Sequence, residues 1–238
     1  MEVDIMVSAE FDKYRNTISK ERLLSFTENE DKDVNLEILL TRYKDNILIS
    51  ESFYPTLSTL EITLRNSIDT MMRTLVSESW VEDEVNQRSI LHDYEHAKLK
   101  ESYDKITSKY GTGELTRGKI IAELTFGFWV NLCSKKYNPT IWTKQGRFRG
   151  VFVNYPVNEQ EQIHKISQRL NSIKRLRNRI FHYEPILKDD IKILTKYCEM
   201  VEILNYLPND DSNVLNEVCR FKDIYNSMLN NKNLQTKT

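Results

Sequence analysis

The residues best suited to chemistry stand close together in the run Arg177-Asn178-Arg179-Ile180-Phe181-His182. On a helix advancing about 100° per residue, Asn178 and His182 lie one turn apart and share a face. Asn171 falls on that same polar side, with Arg175 nearby. The opposite side is an apolar stripe of Ile163, Ile166, Leu170, Ile173, Leu176 and Ile180. Histidine exchanges a proton near neutral pH, and a guanidinium can grip two phosphate oxygens at once. Such a set suits proton transfer on a phosphate ester. The plain alternative is a histidine that caps the end of its own helix.

Arg177 itself falls inside the apolar stripe, where a guanidinium is costly unless paired. An earlier helix has the matching oddity. Glu61 lies within the stripe Leu57, Leu60, Leu64, Ile68, Met71 and Leu75, with Arg65 at its edge. Two opposite charges, each set in an apolar face, are expected to meet, so we expect a Glu61–Arg177 contact.

Two further motif matches carry less. Gly113-x4-Gly118-Lys119 has the spacing of a phosphate-binding loop, but Ile120 stands where a Mg²⁺-binding hydroxyl belongs. The residues before it read as helix, whereas that motif follows a strand. His92-Asp93-Tyr94-Glu95-His96 matches the HxxEH zinc pattern. Nothing marks a third ligand, and the surrounding charges suggest the polar face of a helix. A GxSxG nucleophile motif is absent, and no cysteine has a setting that argues for thiolate chemistry.

Helical periodicity runs through almost the whole chain. It predicts helices over 9–26 (Phe11, Tyr14, Ile18 and Leu24 inward), 34–49, from Tyr54-Pro55 onward, 85–110 and 116–134. A long helix is expected from Asn158, capped with Glu161, to His182-Tyr183, ahead of Pro185. Two more are expected over 188–206 and 210–229, followed by a frayed polar tail. All six glycines fall between Gly111 and Gly150, and Tyr137–Val157 reads as loop. In that loop Lys144, Arg147 and Arg149 alternate with Trp142 and Phe148, a mixture that can hold phosphates and stack bases. A surface loop anchored by its aromatics is the competing reading.

The chain has 238 residues, 39% hydrophobic and 29% charged, enough apolar material for a core. Scarce glycine (6) and proline (5) argue against turn-rich β architectures. No apolar run suits a membrane span, and the acidic N-terminal stretch does not read as an export signal. Cys133, Cys198 and Cys219 are odd in number and far apart, which fits free thiols and a cytoplasmic setting. The net charge of −1 hides an asymmetry. Residues 1–100 hold 12 basic and 20 acidic side chains, whereas residues 105–182 hold 15 and 4. A basic block of this kind points to a polyanionic partner or to an acidic half of the same molecule.

Three ordered segments resemble one family: LSTLEITLRNSI (57–68), GKIIAELTFGFWVNL (118–132) and LRNRIFHYEPI (176–186). They look like the Abi-like (abortive infection) family of bacterial phage-defence proteins, over roughly residues 34 to 206. That family is similar to the HEPN superfamily of helical, metal-independent ribonucleases, and to the nuclease domains of type VI CRISPR effectors. The resemblance implies an all-α, HEPN-like helical bundle with additional helices and an irregular glycine-containing region. Its domain would span 34–206 with an insertion at 135–157, flanked by an N-terminal helix in 1–33 and a C-terminal helix and tail in 207–238.

By the same resemblance, Arg177, Asn178 and His182 form the catalytic Arg-polar-x3-His motif, and Glu61 and Arg65 the supporting ExxxR element. Trp142, Lys144, Arg147, Arg149, Lys174, Arg175 and Arg179 would bind RNA. No metal or cofactor is implied. HEPN nucleases commonly build one composite site from two motifs, so a single motif implies a homodimer. The expected activity is endoribonuclease action in phage defence or a toxin–antitoxin system, with an RNA-binding module as the alternative.

Overall fold

The computed structural model describes residues 14, 17–27, 36–111, 117–160, 162–188, 192–208 and 214–235. Among these every regular element is helical and none is a strand. The all-α expectation therefore holds. In chain order the helices are α1 Lys20–Leu24, α2 Leu36–Ser52, α3 Tyr54–Leu75, α4 Trp80–Asn86, α5 Asp93–Tyr110 and α6 Arg117–Glu123. They continue as α7 Phe126–Leu132, α8 Arg147–Val151, α9 Ile163–Phe181, α10 Ile193–Tyr206, α11 Val214–Val218 and α12 Phe221–Gln235. None is long and apolar enough to cross a membrane.

The chain divides into two compact units, one comprising 1–56, 175–198 and 213–238, the other 57–174 and 199–212. This differs from the division at 34 and 206 that the sequence suggested. The first and last segments of the chain belong to one unit, and a continuous middle segment makes most of the other.

In the first unit, Ser19 Oγ accepts from the Arg22 N–H and starts α1. That start sets the helical phase, so Leu23 and Phe26, rather than Leu24, are the buried residues there. They cluster with Leu36 and Leu39 of α2, while Ile18 and Leu24 pack at the edge. Phe11 lies outside the described residues. Phe221, at the start of α12, is fully buried; its ring stacks on Tyr197 at 4.1 Å and meets Phe53 at 4.7 Å. The polar stretch after Asn230, expected to fray, continues the helix to Gln235.

In the second unit the α3 stripe is buried as expected at Leu57, Leu60, Leu64, Ile68 and Met71. Leu75 is an exception and stands largely exposed at the helix end. The helix expected over 85–110 is interrupted between α4 and α5. The cause is the buried Glu84, whose carboxylate collects the N–H groups of Ser89, Ile90 and Leu91 and the Ser89 hydroxyl. The helix expected over 116–134 is likewise two helices, broken at Leu124-Thr125.

The segment read as a loop is a series of short helical turns: Lys135–Tyr137, Asn138–Trp142 and α8. Its aromatics explain the difference, because Tyr137, Trp142, Phe148, Phe152 and Tyr155 are all buried and fold the backbone around themselves. Gly150 allows α8 close to α3: a Cβ there would stand 3.2 Å from Met71 Cγ. Long helix α9 begins at Ile163, not Asn158, which sits exposed in a turn; its proposed capping partner Glu161 lies outside the described residues.

Glu95 of the HxxEH pattern is fully buried. Both its carboxylate oxygens accept from Lys136 Nζ at 2.8 Å, and the Tyr137 hydroxyl and Asn131 amide also donate to it. Burial pushes this carboxyl up, yet the Lys136 and Tyr137 bonds outweigh it and hold the group below the usual range. A depressed folded-state value adds stability that is complete above the ordinary carboxylate range and lost as pH falls through it. Lys136→Met should therefore cost about 2 kcal/mol near neutrality. That is less than for a fully enclosed pair, because the Lys136 side chain is 41% exposed. The difference in melting temperature from wild type should shrink in acid; an equal melting temperature at pH 7 would show that Glu95 needs no counter-ion.

Candidate functional site

Helix α9 ends in a complete Schellman motif. The Glu184 N–H donates to the Arg179 carbonyl at 2.9 Å and the Tyr183 N–H to the Ile180 carbonyl at 3.0 Å. Glycine is the usual residue at the left-handed position of this motif. Here it is Tyr183, with φ +58°, the one non-glycine at positive φ among the described residues. A bulky side chain there costs about 1 kcal/mol.

The surroundings hold the turn in place. Arg22 of α1 donates from Nη2 to the His182 carbonyl at 3.1 Å and from Nη1 to the Tyr183 carbonyl at 2.9 Å. Asn46 of α2 is buried and reads the next two peptides as a neighbouring strand would. Its Nδ2 donates to the Glu184 carbonyl at 3.2 Å, and its Oδ1 accepts from the Ile186 N–H at 2.7 Å. Arg179 adds a bond to the Pro185 carbonyl and lies 3.5 Å from the Glu184 carboxylate. Ile186 is fully buried.

On this fixed turn, Asn178 and His182 are exposed and Arg177 is half-buried. The Arg177 guanidinium lies over the Phe181 ring, 4.1 Å from its centroid. Its Nε is enclosed and has no hydrogen-bond partner among the described residues. An oriented arginine, an amide and an imidazole thus share the last two turns of one helix. They can bind an anionic oxygen and move a proton beside it.

The other predicted residues are placed differently. Arg175 is exposed, and Lys174 donates to Asn131 Oδ1 at 3.2 Å. Trp142 is 6% exposed, and its indole N–H is taken by the Leu132 carbonyl at 2.7 Å. It packs the core of its unit and offers no stacking face, which corrects the role expected for it. Arg147 donates to the carbonyls of Thr140 and Leu75, and Arg149 to those of Tyr155 and Pro156. Their charges remain, but their guanidinium groups brace the backbone. Lys144 alone of that set stands exposed.

Glu61 and Arg65 are half-buried on α3, with Arg65 Nε donating to Asn66 Oδ1. In the HxxEH pattern, His92 packs its ring on Tyr137 and turns Nε2 toward the Lys136 carbonyl, while Glu95 is taken by Lys136. No group of three or more His, Cys, Asp or Glu among the described residues is arranged to hold a metal ion. A separate cleft of about 410 Å³ lies between Asp45, Leu187, Ile193, Tyr225 and Met228, and none of the predicted residues lines it.

Sequence reasoning missed Arg22, Asn46 and Tyr183. Asn46 carried a signal, since it interrupts the apolar spacing Leu39, Tyr43, Asn46, Ile49 and Phe53 as Glu61 interrupts that of α3. Nothing local marks Arg22, and a tyrosine is among the last residues one would assign to a left-handed cap.

Compared with known proteins, no family model, curated protein or solved structure matches this chain.

Asn46→Ala leaves the enclosed Ile186 N–H without a partner and should cost about 2–3 kcal/mol in urea unfolding. A loss under about 0.5 kcal/mol would show that the turn is held by other bonds. Glu61 belongs to one unit and Arg177 to the other.

Proposed function

We propose that this chain is a metal-independent endoribonuclease of the HEPN type, acting in bacterial phage defence or a toxin–antitoxin system. The observation that carries the reading is the Arg177-Asn178-x3-His182 set. Its polar members are exposed on a braced helix end, and its arginine is oriented over an aromatic ring. The resemblance of three ordered segments to the Abi-like family supports it.

RNA supplies its own nucleophile. The ribose 2′-oxygen attacks phosphorus, its proton passes to a base, the P–O5′ bond breaks, and the departing 5′-oxygen takes a proton. A 2′,3′-cyclic phosphate and a 5′-hydroxyl remain. His182 transfers the proton, Arg177 stabilises the charge on the non-bridging oxygens, and Asn178 positions the phosphate or the ring. By the same resemblance Glu61 and Arg65 are the supporting ExxxR element. Two copies of the chain place two such turns across one cleft, where the exposed Arg175 adds a phosphate contact.

The test is cleavage of a mixed RNA pool in EDTA. Wild type should cut and leave cyclic phosphate ends. His182→Ala should cut at least about a hundredfold more slowly with an unchanged melting temperature, because the ring is exposed. Arg177→Ala should lose activity and also melt lower, because its side chain is half enclosed. If neither wild type nor His182→Ala cuts yet both retain RNA in a gel shift, the chain is an RNA-binding module instead.

A further inference from the structure

The strained tyrosine next to His182 is a feature that the fold does not explain. Tyr183 is 72% exposed, and its ring and hydroxyl make no hydrogen bond or ring contact with the described residues. It nevertheless occupies a left-handed backbone position, which the other two described residues with positive φ, Gly111 and Gly146, fill with glycine. A residue that costs stability and leaves most of its ring in solvent is a candidate for function. The turn beneath it is braced by Arg22 and Asn46, so the ring is presented in a fixed place rather than on a loose loop. Two residues earlier, Phe181 is 46% exposed, with the Arg177 guanidinium against its ring.

The charge around these rings says what covers them. The end of helix α9 beside these rings carries Arg175, Arg177 and Arg179, and the helix has no acidic residue from Ile163 to Phe181. Glu184, the nearest carboxylate in sequence, is close to Arg179 and partly neutralised by it. A second copy laid directly on this turn would bring cation against cation. An unpaired nucleobase with its phosphate supplies both a flat π-face and negative charge, which is the chemistry of single-stranded RNA bound on aromatic platforms.

We propose that Tyr183 is a base-stacking residue, holding an unpaired base beside the phosphate that the Arg177–His182 turn engages. This rests on the ribonuclease reading for its substrate class and deepens it. Stacking is tolerant of base identity, so the device selects unpaired over duplex RNA rather than one sequence.

The decisive variant is Tyr183→Gly, which removes the ring and relieves the backbone at once. The probes are a single-stranded RNA oligonucleotide with 2′-deoxy residues to block cleavage, the same oligonucleotide with one abasic site, and a blunt RNA duplex. Affinity, melting temperature and mass in solution are measured on the full chain. Tyr183→Gly should melt at or above wild type yet bind the single strand at least about fivefold more weakly, while Tyr183→Phe stays within about twofold of wild type. The abasic strand should bind wild type and Tyr183→Gly alike at one position of the lesion, and duplex affinity should not change.

Equal single-strand affinity for wild type and Tyr183→Gly overturns the proposal, as does a Tyr183→Phe variant as weak as the glycine variant. A fall in mass with unchanged RNA affinity assigns the ring to a contact between copies and also overturns it. If wild type binds and Tyr183→Gly loses that binding, but wild type cuts no RNA, stacking stands and the nuclease reading fails. Cutting that Tyr183→Gly leaves intact, with intact affinity, does the reverse.

Discussion

The side-chain amide of Asn46 fixes the direction in which the chain leaves α9, and the candidate site depends on that direction. The Schellman bonds alone would end the helix with any residue that tolerates a left-handed backbone. With tyrosine there, about 1 kcal/mol opposes the turn. The two bonds from Asn46 and the two from Arg22 each contribute on the order of 1 kcal/mol. Together they exceed the opposing cost, so the strained conformation is the stable one. The backbone at and just after His182 is thereby held by residues about 140 and 160 positions earlier in the chain. A site fixed this way is organised before any ligand arrives, which lowers the ordering cost of binding.

The other unit uses the same device in a different form. Glu84 and Glu95 are carboxylates placed in otherwise apolar surroundings, and each gathers donors from a nearby turn. This also changes how the basic block of residues 105–182 should be understood. Lys105, Arg117, Lys136 and Arg169 are paired with Glu123, Asp69, Glu95 and Glu202. Paired charges add little field at a distance. Arg147 and Arg149 bond to carbonyls instead, so they keep their charge but lose their freedom. The formal excess of positive charge thus overstates the number of side chains able to reach for a phosphate; Lys144 and Arg175 are the exposed ones among those singled out.

Helix existence and the inward stripes of α3 and α9 were legible in the sequence, because a 3.6-residue period leaves a mark that tertiary packing reinforces. Leu57 to Met71 and Ile166 to Leu176 are buried where the spacing put them. The breaks inside 85–110 and 116–134 were not legible. At Glu84 the interruption comes from a side chain capturing three backbone N–H groups, an event with no periodic signature. The 135–157 segment failed for a related reason. Basic and aromatic residues alternate there just as in a nucleic-acid loop, and only burial shows that Trp142 and Phe148 belong to the core. The Arg177-Asn178-x3-His182 set was legible as spacing, whereas the αL tyrosine that follows it was not, since local preference argues for glycine.

Proton bookkeeping constrains what one such turn can do. Cleavage by a 2′-oxygen needs one group to accept a proton and one to supply a proton to the leaving oxygen. Arginine does not give up its proton in a protein, and an amide does not titrate, so Arg177 and Asn178 can stabilise charge but not carry it away. A single copy of the turn then offers His182 for one of the two transfers. If the proposed reaction is run here, the second transfer falls to another histidine, to water, or to a carboxylate brought in from elsewhere. A second copy of the same turn meets that need with no additional residue type, and two equivalent imidazoles divide into acid and base once the phosphate between them breaks their symmetry. The basic character of α9 fits the same arrangement: two cationic helix ends repel when empty and are drawn together by an anion lying between them.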